Sequence, residues 1–107
     1  MKHDDDRIIS KTCELLASLV NKNDSVNREV GQLAVSTIKN LLMGSQNMAV
    51  IQSALYLLAE LSVNRDNLTA INATNIVGDA LSRFTNAREV SIQHYRNTIT
   101  ERIKQRF

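Results

Sequence analysis

The sequence predicts an all-α protein, and three observations carry that prediction. None of the 107 residues is proline, where average usage would supply about five, so the usual punctuation of β-rich and irregular folds is missing. Aromatic residues make up only 4% of the chain and there is no tryptophan. The core must therefore come from Leu, Ile, Val and Ala, which suits helix packed on helix better than a sheet sandwich. Finally, apolar residues recur at three- and four-residue steps in successive stretches, with no alternating strand pattern. The length fits one small domain. At this size a chain buries only about 60–65% of its unfolded surface, so stability is modest and an open-ended stack is vulnerable at both ends.

The first helix is expected over 4–20, on the stripe Ile8, Ile9, Thr12, Leu15, Leu16, Leu19 and Val20, with Asp4, Asp5 and Asp6 at its start opposing the helix dipole. Asn21-Lys22-Asn23-Asp24-Ser25 reads as a turn made of cap formers. A helical region over 25–43 follows on Val26, Val30, Leu33, Ala34, Ile38, Leu41 and Leu42, stopping at Gly44-Ser45. The stretch 47–63 uses Met48, Ile51, Ala54, Leu55, Leu58 and Leu61 and ends in Asn64-Arg65-Asp66-Asn67, a near copy of the first turn. Over 66–84 the apolar residues are Leu68, Ile71, Ile76, Val77, Ala80, Leu81 and Phe84, and Asn72-Ala73-Thr74-Asn75 is expected to split this region into two short helices. The last helix, over 87–106, carries Val90, Ile92, Tyr95, Ile99 and Ile103, with basic residues in its final turns where cations favour the dipole.

Thirteen basic and eleven acidic residues leave a net charge of +2, too little for electrostatic capture of nucleic acid or a membrane. A single Cys13 cannot form an internal disulfide and reads as a packed, inert thiol. Met-Lys-His-Asp-Asp-Asp contains no apolar signal core, and no run approaches the roughly 18 residues of a membrane span, so the expected location is cytoplasmic, with the nucleus an alternative. His3 and His94 have no partners at metal-ligand spacing, the Asp4–Asp6 run lacks the glycine and distal glutamate of a calcium loop, and Gly31, Gly44 and Gly78 are isolated. No catalytic residue, cofactor or metal is expected. The terminal Arg88, Arg96, Arg102, Lys104 and Arg106, interleaved with Glu89 and Glu101, read as a solvated face.

The sequence also repeats itself. Leu15-Leu16-Ala17-Ser18-Leu19 returns 42 residues later as Leu57-Leu58-Ala59-Glu60-Leu61; Leu33-Ala34, Ile38 and Leu41 return after 43 as Ile76-Val77, Leu81 and Phe84; Ile51-Gln52 returns after 41 as Ile92-Gln93. A helical period near 42 is the length of a HEAT or armadillo unit. Asn27-Arg28-Glu29-Val30 through Leu41-Leu42 resembles the paired first and second helices of an armadillo repeat, and Ala54-Leu55-Tyr56-Leu57-Leu58-Ala59-Glu60-Leu61-Ser62, followed by Asn64 and Asp66-Asn67, resembles its long third helix and asparagine-containing junction.

The resemblance covers nearly the whole chain. It implies a right-handed α-solenoid of about two and a half armadillo-like repeats: third-type helices at 4–20, 47–63 and 87–106, and first/second pairs at 25–43 and 66–84. Armadillo units often bend their first two helices at proline, so here Asn72–Asn75 and Gly31 are expected to do the bending. The family's third helices line a groove that holds an extended protein segment. Carried onto this chain, that face comprises Ser10, Glu14, Ser18, Gln52, Tyr56, Glu60, Gln93, Asn97 and Glu101. Where family members place a ladder of asparagines this chain has Ser18, Glu60 and Glu101, and carboxylates only accept hydrogen bonds, so the expected partner is a basic protein segment. The same nine positions read equally as ordinary solvated helix surface.

Two and a half units are few for a stack whose members cannot bury an apolar face alone. Continuation into a longer array, a homo-oligomer, or a partner at an open end is therefore expected. The final helix reads as a polar cap, and the first, with Ile8, Ile9, Leu15, Leu16 and Leu19 spread around it, as the exposed seam. The function expected is a non-enzymatic protein–protein interaction module or scaffold fragment; the alternative is a small helical regulatory or assembly protein that self-associates through that seam.

Overall fold

The computed structural model describes residues 2–84 and 87–107, with side chains described from Asp5 onward. The side chains of His3 and Asp4 thus lie outside the described residues. All regular structure among the described residues is helical: α1 (Lys2–Val20), α2 (Asp24–Gly44), α3 (Met48–Leu61), α4 (Arg65–Ala73), α5 (Ile76–Asp79), a 3₁₀ turn (Leu81–Phe84) and α6 (Val90–Arg106). The radius of gyration is 12.7 Å, close to the roughly 13 Å of a compact domain of this length.

Asparagine starts three of these helices. Asn23, Asn47 and Asn64 each turn a side-chain oxygen back onto two of the orphan N–H groups that open α2, α3 and α4, at 2.9 and 3.2 Å in every case. Such a cap is worth about 1 kcal/mol relative to alanine. α1 begins before Asp4, so the acidic run lies inside the first turns rather than ahead of the helix. α2 ends at Gly44 with no positive φ: Ser45 is extended and its N–H closes on the Leu41 carbonyl.

α3 is the centre of the molecule. Val50, Ile51, Ala54, Leu55, Leu57, Leu58, Ala59 and Leu61 are all buried, which is the pattern of a helix covered on nearly every side. On one flank lies α1, where the Asn47 amide donates to Asp6 at 3.3 Å and the Ser10 and Ser53 hydroxyls share a 2.7 Å hydrogen bond. On the other lies α6, where the Arg102 guanidinium donates to the Ala59 carbonyl at 2.6 Å and to the Ser62 hydroxyl at 2.7 Å. Residue numbers rise together across both contacts, so α1, α3 and α6 run in the same direction.

α2 packs against α3 and against α4, and the chain from α4 to the 3₁₀ turn follows it in the same sense. Asn64 donates to Asp24 at 3.0 Å, Asn67 to Asn27 Oδ1 at 2.6 Å, Lys39 to Asp79 at 2.8 Å, and Arg83 to the Leu42 carbonyl. Each of these partners stands 40 or 41 residues from the other.

The break between α4 and α5 falls at Thr74 and Asn75. Asn75 takes the left-handed conformation at φ 55°, Thr74 bonds back to the Ile71 carbonyl, and the Thr74 carbonyl accepts from Lys39 at 2.6 Å. Asn is one of the few side chains that enters this region at small cost. Gly31, in contrast, produces no bend. α2 runs straight through it as one helix, and the residue instead leaves room for the Asn67 side chain, into which an added Cβ would collide directly.

That close approach belongs to a buried asparagine junction. Asn27 donates to the Glu60 carbonyl at 3.0 Å and the Val20 carbonyl at 3.4 Å, and Asn67 donates to the Asn27 carbonyl at 2.9 Å and the Leu61 carbonyl at 3.1 Å. The carbonyls at the ends of α1 and α3 are thereby satisfied in the same way by side chains 40 residues apart. Asn67 Oδ1 is buried without a hydrogen-bond partner and faces Gly31.

Candidate binding face

The nine positions marked in the sequence fall into several environments. Ser10 is not on an open face: it is 8% exposed and its hydroxyl is spent on Ser53 and on the Ala49 carbonyl at 3.3 Å. A serine can occupy a helix–helix contact when a second hydroxyl satisfies it, and helical spacing alone does not reveal that partner. Glu14 is exposed and pairs with Lys11 at 3.5 Å on its own helix. It borders an open cleft of about 350 Å³ with Asp6, Arg7, Lys11 and Asn47. Ser18 and Gln52 are exposed.

On α6, the Gln93 side chain folds back to the Ala87 carbonyl. Asn97 Oδ1 accepts from Arg96 at 3.0 Å, and Glu101 stands 4.0 Å from Lys104. Asn97 and Glu101 share an open cleft of about 390 Å³ with His94, Thr98, Arg102 and Gln105. It is a shallow polar surface.

Between these, aromatic side chains of α3 and α6 converge. Tyr56, half-buried on α3, meets Tyr95 of α6 with ring centroids 5.6 Å apart and planes tilted by 30°, and His94 adds a third ring 5.7 Å from that of Tyr95. Glu60, one turn beyond Tyr56, is half-buried. Burial pushes the Tyr95 hydroxyl above its usual range, and Tyr56 and the Glu60 carboxylate act in the same sense. The site therefore combines the negative faces of aromatic rings with a carboxylate, the combination that attracts an ammonium or guanidinium group.

Tyr95 and His94 were absent from the row of nine. The repeat offset of 41 leads from Tyr56 to Asn97, whereas the aromatic partner stands 39 residues on. A second tyrosine close to one period from the first is the available signal.

Cys13 is buried against the core, and burial, then the neighbouring Glu14, raises its thiol. Among the described residues no three of His, Cys, Asp and Glu gather as a metal site would require. No helix among them is long and apolar enough to cross a membrane. Comparison of the chain with protein-family models, with curated proteins and with solved structures finds no match.

Proposed function

We propose that the protein is a non-enzymatic interaction module, built as a right-handed solenoid of about two and a half armadillo-like repeats, that holds a basic protein segment on the face of α1, α3 and α6. The observation that carries the binding reading is the Tyr56–Tyr95 ring pair with Glu60 one helical turn away. An arginine or lysine laid across it gains a cation–π contact of about 1 kcal/mol or more together with a charge-assisted bond to the carboxylate. Glu14 and Glu101 on the flanking helices give the same sign of charge to either side.

The repeat reading is supported by how the helices meet. Asp6 with Asn47, Ser10 with Ser53, Asp24 with Asn64, Asn27 with Asn67 and Lys39 with Asp79 are pairs 40 to 43 residues apart. A stack in which each unit lies beside the next places every position next to its own successor.

Calorimetric titration tests the binding reading. An arginine-rich decapeptide is expected to bind, a glutamate-rich one of equal length is not, and the affinity falls as salt rises. The double variant Tyr56→Ala/Glu60→Lys abolishes binding while the circular dichroism stays helical. Equal binding of both peptides, or undiminished binding by the double variant, overturns the proposal.

A further inference from the structure

The two sides of the α1–α3–α6 layer differ in character. On α6 the exposed side carries His94, Asn97, Glu101 and Gln105, with apolar exposure only at its ends, Val90 and Phe107. On α1, Ile8, Leu15 and Leu19 remain 63%, 67% and 58% exposed. Together with exposed Thr12 they occupy one line of the helix, because steps of four, three and four residues return to the same face. That line is distinct from the core side, which uses Cys13, Ala17 and Val20. Monomers seldom leave several large aliphatic side chains exposed in a contiguous line.

We infer that two copies of the chain associate through this line, α1 against α1 in antiparallel orientation. The spacing is that of a heptad seam, with Ile8 and Leu15 at d and Thr12 and Leu19 at a. Read backwards the spacing is unchanged, so a two-fold axis sets Ile8 against Leu19 of the partner subunit and Thr12 against Leu15 of the partner subunit. Half-buried Ile9 and Leu16 flank the seam and meet each other across it.

Charge selects the orientation. One step beyond the apolar positions the same seam reaches Asp5 at one end and Lys22 at the other, both exposed and neither in an ion pair among the described residues. Lys22 lies in the tight turn that closes α1, its N–H donating to the Leu19 carbonyl at 3.2 Å. Antiparallel pairing brings Asp5 to Lys22 of the partner subunit at both ends and opposes the two helix dipoles. Parallel pairing would set Asp5 on Asp5 and Lys22 on Lys22. A head-to-tail contact with the polar side of α6 would leave the aliphatic line without an apolar partner, so the closed two-fold arrangement is the one that covers it. The binding face around Tyr56 takes no part in this contact.

Sedimentation equilibrium of the full chain, from about 1 μM to about 1 mM, tests the inference. The unaltered chain is expected to dimerise in that range. Leu15→Asp, at an exposed position, weakens the dimer by at least about a hundredfold because it sets carboxylates in the seam. Asp5→Lys and Lys22→Asp each weaken it about tenfold, and the two together restore it to within about threefold. A chain that stays monomeric throughout overturns the inference, as does a Leu15→Asp variant that dimerises normally. If the double swap remains as weak as the single ones, the antiparallel register is wrong. The charge variants alter only exposed positions, so they keep the test open even if Leu15→Asp fails to fold.

Discussion

α2 and the segment from α4 to the 3₁₀ turn occupy matching places in the molecule, yet one is an uninterrupted helix of 21 residues and the other is three short pieces. Both begin at an asparagine cap with the same geometry, at Asn23 and Asn64, and both are pinned along their length by side chains 40 or 41 residues apart. Position is therefore held by contacts between the two segments rather than by continuity within either. Where the second segment breaks, Lys39 of the first bonds the carbonyl freed at Thr74, and nearer its start Gly31 leaves the space that Asn67 fills.

The sharpest way to break the pairing is at that space. Gly31→Ala, which would ordinarily favour a helix interior, is expected to cost about 2–3 kcal/mol because the methyl collides with the Asn67 amide. Gly44→Ala, in the last turn of the same helix with open space around it, is expected instead to gain about 0.5 kcal/mol. Asn67→Ala alone loses hydrogen bonds to Asn27 and Leu61. In that background Gly31→Ala is expected to cost at least about 1 kcal/mol less than it does alone. Urea unfolding of the unaltered chain and these four variants measures all of the differences, and additive losses for Gly31→Ala and Asn67→Ala would show that the close approach has no energetic weight.

The matched caps come next. Asn23 is exposed, whereas Asn64 is 9% exposed and also donates to Asp24 across the segment boundary. Asn64→Ala is expected to cost about 2 kcal/mol and Asn23→Ala about 1 kcal/mol. Equal losses would mean that only the local caps matter.

A smaller effect is expected at the break. Lys39→Met removes the 2.6 Å bond to the Thr74 carbonyl and the 2.8 Å pair with Asp79, costing about 1 kcal/mol. Hydrogen exchange should quicken in α4 and α5 more than in α2. Arg28→Ala, which removes an exposed 3.8 Å pair with Asp66, is expected to change stability by less than about 0.5 kcal/mol.

The smallest effect is one of pH. The raised Tyr95 hydroxyl means that the folded chain keeps this proton at a pH where the unfolded chain has begun to lose it. Its contribution to stability is thus fully present below about pH 10, the ordinary tyrosine range, and is lost above it as pH climbs through the raised folded value. Tyr56→Phe removes one cause of the shift, so the Tyr95 titration should move down in ultraviolet difference spectra. The chain has two tyrosines and no tryptophan, so in the Tyr56→Phe variant Tyr95 titrates as the single remaining tyrosine.

The helices and the interruption around Asn72–Asn75 could be read from residue types, because spacing and polar caps act locally. Gly31 could not: a glycine that admits a neighbour's side chain and one that bends a helix are identical in sequence, and only the position of Asn67 separates them. Ser10 failed for a similar reason, since its burial depends on Ser53, which lies 43 residues away. At the proposed face, Tyr56 and Glu60 follow from the armadillo resemblance and its four-residue spacing, while the contact of Tyr95 with Tyr56 depends on the register between two helices.

Tyrosine fluorescence during titration with an arginine-rich peptide tests the central claim most directly, because both tyrosines of the chain form the ring pair. A saturable change in emission is predicted for the unaltered protein and none for Glu60→Lys at equal helicity. Emission that does not change, or that changes alike in both proteins, would contradict the assignment of this face to a basic segment.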